Sequence, residues 1–72
     1  MKKLIKSTRQ AYGAFEDALK TKGIEYKKIS AAGYDKYEYI SSEGKKIEAL
    51  AGNVMQVAED AWSEKISFYE VK

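Results

Sequence analysis

Two stretches of this chain space their apolar residues at three- and four-residue steps, and the segments around them alternate apolar with polar. In the first, Ala11, Tyr12, Phe15, Ala18 and Leu19 fall on one helical face. Ser7-Thr8-Arg9-Gln10 ahead of it reads as a capping box, and Gly23 behind it as a C-terminal stop. This predicts a helix over about 8–22. Gly13 inside it costs roughly 1 kcal/mol against alanine, a sign of close packing there. Residues 2–6 fit a short strand before the capping box; Leu4 also continues the stripe, so a helix from Lys2 is the alternative. In the second stretch, Val54, Val57, Ala58, Ala61 and Trp62 share a face behind a second capping box, Asn53-Val54-Met55-Gln56. A helix over about 54–64 follows, or one that begins at Lys46 through Ile47 and Leu50.

Strands are predicted at 24–29, 34–40, 46–50 and 66–71. Ser30-Ala31-Ala32-Gly33 separates the first two, and Ser42-Glu43-Gly44-Lys45 is a hairpin turn in which glycine supplies the positive φ. The order is (β)αβββαβ, a single compact domain over residues 1–72. The expected fold class is α+β: a small two-layer sandwich with two helices on one face of a mostly antiparallel sheet. Ile24, Tyr26, Tyr37, Tyr39, Ile47, Ala49, Ile66 and Phe68 then share the inner face. Glu25, Lys27, Lys36, Glu38, Lys46 and Glu48 share the outer one, with Ile29, Ile40, Leu50, Tyr69 and Val71 among them. The strand 66–71 is expected at a sheet edge, open to pairing with a second copy, and Phe15 and Trp62 in the core or at its rim.

Composition narrows the chemistry. Seventy-two residues without cysteine or histidine have no disulfide framework and no Cys/His zinc motif, so no metal and no cofactor is expected. Packing alone must hold the fold, with a margin on the order of 3–5 kcal/mol. No run approaches a membrane span, and the basic opening MKKLIKSTRQ lacks an apolar segment behind it, so a cytoplasmic location is expected. Many lysines, a single arginine (Arg9) and no proline fit an AT-rich bacterial, phage or mobile-element coding sequence. Charge is uneven: residues 1–28 carry a balance of +5, from eight bases and three acids, and residues 29–72 carry −3, from five and eight.

Catalytic residues are not expected. Histidine is absent, and the adjacent acids Glu16-Asp17 and Glu59-Asp60 would point apart on a helix instead of forming a dyad. No phosphate-loop, nucleophile-elbow or dinucleotide fingerprint occurs. Six tyrosines are the conspicuous feature. Tyr34, after Ala31-Ala32-Gly33, is the one most expected at the surface, then Tyr69. With the acids Glu59, Asp60 and Glu64 of the second helix they form the expected protein-binding surface. Lys2, Lys3, Lys6 and Arg9 form the alternative, a nucleic-acid surface.

The αβββα order resembles that of the double-stranded-RNA-binding domain. Helix 2 there opens on a Lys-Lys-x-Ala-Lys run, whereas this one opens Asn53-Val54-Met55-Gln56, and the family's Gly-Pro-x-His-like loop has no counterpart. The resemblance therefore implies element order alone. The functional expectation is a non-enzymatic protein-binding module, a small regulator or inhibitor of a cellular protein. The alternatives are a nucleic-acid binder and a structural homo-oligomer, such as a homodimer.

Overall fold

A computed structural model describes residues 2–71. They form β1 (Lys2–Ala11), α1 (Ala14–Thr21), β2 (Tyr26–Ala31), β3 (Tyr34–Ile40), β4 (Lys46–Ala58) and β5 (Ala61–Val71). All pairings are antiparallel, in the order β1-β5-β4-β3-β2. Strands β2 to β5 make a meander; β1 closes the far side against β5, and α1 crosses one face to join the two edges. The two-helix α+β sandwich is thus corrected to a five-stranded antiparallel sheet with one short helix, and the double-stranded-RNA-binding element order falls with it.

Two local expectations fail for one reason. The polar residues 7–10 that read as a capping box lie in β1, where Ser7 pairs with Ser67 and Gln10 with Glu64. Gln10 Nε2 donates to Thr8 Oγ1 and no helix starts there. Residues 54–64 are the end of the β4–β5 hairpin, turning at Glu59-Asp60. Asn53 is no N-cap; it takes φ 53° where the register shifts between Gly52 and Met55. Capping signals compete with ladder formation, and Val, Asn and Trp are weak helix formers. Once Ile47–Gly52 and Lys65–Glu70 are paired, each further pair extends an existing ladder, whereas a helix needs a new nucleus.

The true helix starts at Gly13, at φ 84°. Glu16 and Asp17 lie in its first turn and Lys20 in its last, each at the favourable end of the dipole. Gly23, at φ 70°, ends it as the sequence predicts: the Ile24 N–H returns to the Leu19 carbonyl at 3.0 Å. Phe15 and Leu19, one turn apart, bury the helix on Tyr37, Ile47, Ala49, Ala51, Ile66 and Phe68, with Ile24, Tyr26 and Tyr39 around them. Phe15 is the hub, edge-on to both Tyr37 and Phe68 at 5.3 Å between ring centroids.

Strand β5 lies between β1 and β4, so it is not an edge, and the expected dimerisation along Tyr69 and Val71 has no free ladder to use. The edges are β1 and β2. A bulge between Leu4 and Lys6 and the lysines of β1 protect the longer edge. Among the described residues no helix is long and apolar enough to cross a membrane.

Candidate functional site

One helix of eight residues covers only part of a sheet whose longest strand has thirteen. Two surfaces are left uncovered: the end of the sheet beyond Gly13, and the whole of the opposite face.

The first is apolar. Alternation along β5 puts Trp62 on the same side as Glu64, Ile66 and Phe68, past the helix. Val54, which with Asn53 faces the single residue Glu64 at the register shift, and Tyr12, whose N–H donates to the Trp62 carbonyl at 2.9 Å, stand beside it. Tyr12 is 61%, Val54 51% and Trp62 49% exposed, and the three line one shallow depression. Met55 and Val57 add exposed apolar surface to the same hairpin. Trp62, expected in the core or at its rim, is therefore a surface residue. The buried Glu64 beneath it accepts the Gly13 N–H at 3.2 Å and so anchors the helix start.

The second is the open face, assembled by the register into rows that run across the strands. One row is Leu4, Tyr69, Glu48, Glu38 and Lys27; the next is Ser7, Ser67, Leu50, Lys36 and Ile29; the third is Arg9, Lys65, Gly52, Tyr34 and Ala31. Lys2 reaches over this face to make an ion pair with Glu48, which is 3% exposed at its centre. The hydrogen bond to Glu48 raises the Lys2 pKa. Arg9 donates to Ser63 Oγ at 3.0 Å and to the Asn53 carbonyl at 3.3 Å, so its guanidinium is held against the bulge.

These rows regroup the residues chosen from sequence. Tyr34, 46% exposed, and Tyr69, half-buried, share the open face. Glu59 and Asp60 sit exposed at the tip of the hairpin, whereas Glu64 is buried, so the expected acidic helical surface does not form. The basic cluster is divided by the alternation of β1, on both sides of its bulge. Lys2 and Arg9 go to the open face; Lys3 and Lys6 go to the helix side, where Lys6 lies 5.2 Å from the Phe68 ring centroid. Tyr12, Val54, Lys36 and Lys65 were not singled out from sequence as site residues. Lys65 lies just before the segment 66–71 that stands out as a strand, and Glu64 interrupts the alternation between Trp62 and Ile66, so the sequence carries no clear signal for it.

No family model, no curated protein and no solved structure matches this chain. The comparisons give no support to a phage or mobile-element origin or to an inhibitor's role. Among the described residues no group of three acids is placed to hold a metal ion.

Proposed function

We propose that this protein is a non-enzymatic binding module of the cytoplasm that docks on another protein through the apolar end formed by Tyr12, Val54 and Trp62. The observation that carries the reading is the exposure of Trp62 beside two further exposed apolar side chains at the end of the sheet. Tryptophan and tyrosine anchor protein interfaces, and a contiguous exposed apolar patch on so small a domain has a use that outweighs its aggregation risk. The lack of cysteine fits a reducing compartment.

Affinity capture from a bacterial lysate with the parent, Trp62→Ala and Phe68→Leu proteins, read by mass spectrometry, tests it. A partner retained by the parent and by Phe68→Leu but lost with Trp62→Ala is the expected result. Capture that is indifferent to Trp62→Ala places the interface elsewhere. Sedimentation equilibrium of parent and Trp62→Ala separates docking on another protein from self-association. A dimer that Trp62→Ala dissolves assigns the same end to a second copy, which is the homo-oligomer reading.

A further inference from the structure

Charge in this molecule is divided by sheet face. The alternation and register of the five strands put Lys2, Arg9, Lys27, Lys36, Lys46 and Lys65 on the open face against only two acids, Glu38 and Glu48, a balance of +4. Everything else described, including the helix and the turns, carries six bases and nine acids, a balance of −3. A molecule of net charge +2 thus presents one strongly cationic side. Of its two acids, Glu48 is buried under Lys2 and neutralised by it.

The same face has a shaped centre. In the row Arg9, Lys65, Gly52, Tyr34, the position between the lysine and the tyrosine has no side chain. A Cβ at Gly52 would come within 3.0 Å of the Gly33 carbonyl oxygen and 3.1 Å of Tyr34 Cβ, so the tyrosine stands directly against bare backbone. Tyr34, Leu50, Gly52, Asn53, Lys65 and Ser67 line a shallow open depression there. Lys65 and Tyr34 are the cross-strand neighbours of Gly52 on its two sides, so a cation and an exposed aromatic ring stand one strand apart from the glycine on the same face.

We propose that the open face binds single-stranded nucleic acid: a base stacks on the exposed Tyr34 ring, and the backbone phosphates are held by Lys36, Lys65 and Arg9. The inference stands apart from the docking of the Trp62 end. Cationic side chains around an exposed aromatic on a sheet are the elements of sequence-tolerant single-strand recognition. The charge balance selects a polyanion. The exposed tyrosine selects unpaired bases over a duplex, whose bases are stacked inward, and over an acidic protein segment, which has no flat rings at regular spacing. Lysines in place of arginines grip phosphate without reading base edges, so little sequence preference is expected.

Fluorescence anisotropy of the whole protein with short mixed-sequence DNA and RNA single strands and the corresponding duplex, at two salt concentrations, tests the proposal. Lys36→Glu with Lys65→Glu is expected to weaken single-strand binding at least about tenfold and to flatten its salt dependence. Tyr34→Ala is expected to weaken it roughly 5- to 30-fold, with Tyr34→Phe near the parent. Lys20→Glu with Lys22→Glu removes the same charge from the helix side and is expected to change affinity by less than about twofold. Circular dichroism of each variant confirms the fold, and every position changed lies at or near the surface. Four results each overturn the proposal: no binding by the parent at the lower salt; equal losses from the two double variants; a duplex bound as tightly as the single strands; or displacement by polyglutamate at equal charge concentration, which marks a surface for acidic proteins.

Discussion

Tyr26 donates its phenolic hydrogen to Glu16 across 2.7 Å, and this contact fastens the helix to the edge strand β2. Lys28, two residues along the same strand, reaches the other carboxylate oxygen at 3.2 Å. The Tyr26 hydrogen bond, the largest effect, holds the Glu16 carboxyl below its ordinary pKa against the opposing effect of burial, and Lys28 adds to the lowering. The same bond raises the pKa of Tyr26.

The pH dependence follows from that lowered value. A carboxylate whose pKa is lower folded than unfolded adds stability that is fully present above the unfolded value of 4.5 and is lost as pH falls through the folded one. Thermal melts between about pH 3 and 6 are expected to show the parent losing stability toward acid, and Glu16→Gln losing less of it over the same interval. Identical acid limbs in the two proteins would show that Glu16 does not carry this linkage.

Phe15 and Trp62, both assigned by sequence to helical stripes and to the core or its rim, are expected to separate cleanly. Phe15 is buried between Tyr37 and Phe68, and Phe15→Ala removes that contact at a cost of about 3–5 kcal/mol, enough to unfold much of so small a domain. Trp62 is half exposed, and Trp62→Ala is expected to cost less than about 1 kcal/mol. Urea unfolding of both variants decides this; equal losses would put the Trp62 ring in the core.

Gly52→Ala places a methyl group against the Gly33 carbonyl and the Tyr34 Cβ, both part of the β2–β3 hairpin and unable to rotate away. A loss of about 1–3 kcal/mol is expected, the cost of overpacking, with chemical-shift changes centred on Gly33 and Tyr34. An alanine tolerated without loss of melting temperature would mean that the hairpin yields freely at this point.

Asn53, at φ 53°, sits where β4 shifts register. Asn53→Gly is expected to keep or slightly raise stability, because glycine takes that conformation without steric cost. Asn53→Val is expected to lose roughly 1–2 kcal/mol. The opposite ranking in thermal melts would show that the asparagine side chain, and not the backbone conformation, holds the bulge.

By itself the sequence determined the inner face of the sheet. Ile47 and Ala49, Ile66 and Phe68, and Tyr37 and Tyr39 alternate with polar residues, and a period of two has one reading when a neighbouring strand shares it. It also determined the Phe15–Leu19 stripe and the stop at Gly23, since those depend on contacts within one helical turn. Tertiary pairing decided the rest. Ser7-Thr8-Arg9-Gln10 and Asn53-Val54-Met55-Gln56 satisfy a helix start and a strand equally well over four residues. Their partners, Ser67 to Glu64 for the first and Ser63 and Trp62 for Met55 and Gln56, lie far along the chain or across a turn. The uncovered end at Trp62 exists because α1 is shorter than the strands it crosses, a relation between separate elements. The cationic face has the same origin: lysines spread along the chain from Lys2 to Lys65 become neighbours only when the register of five strands sets them on one side.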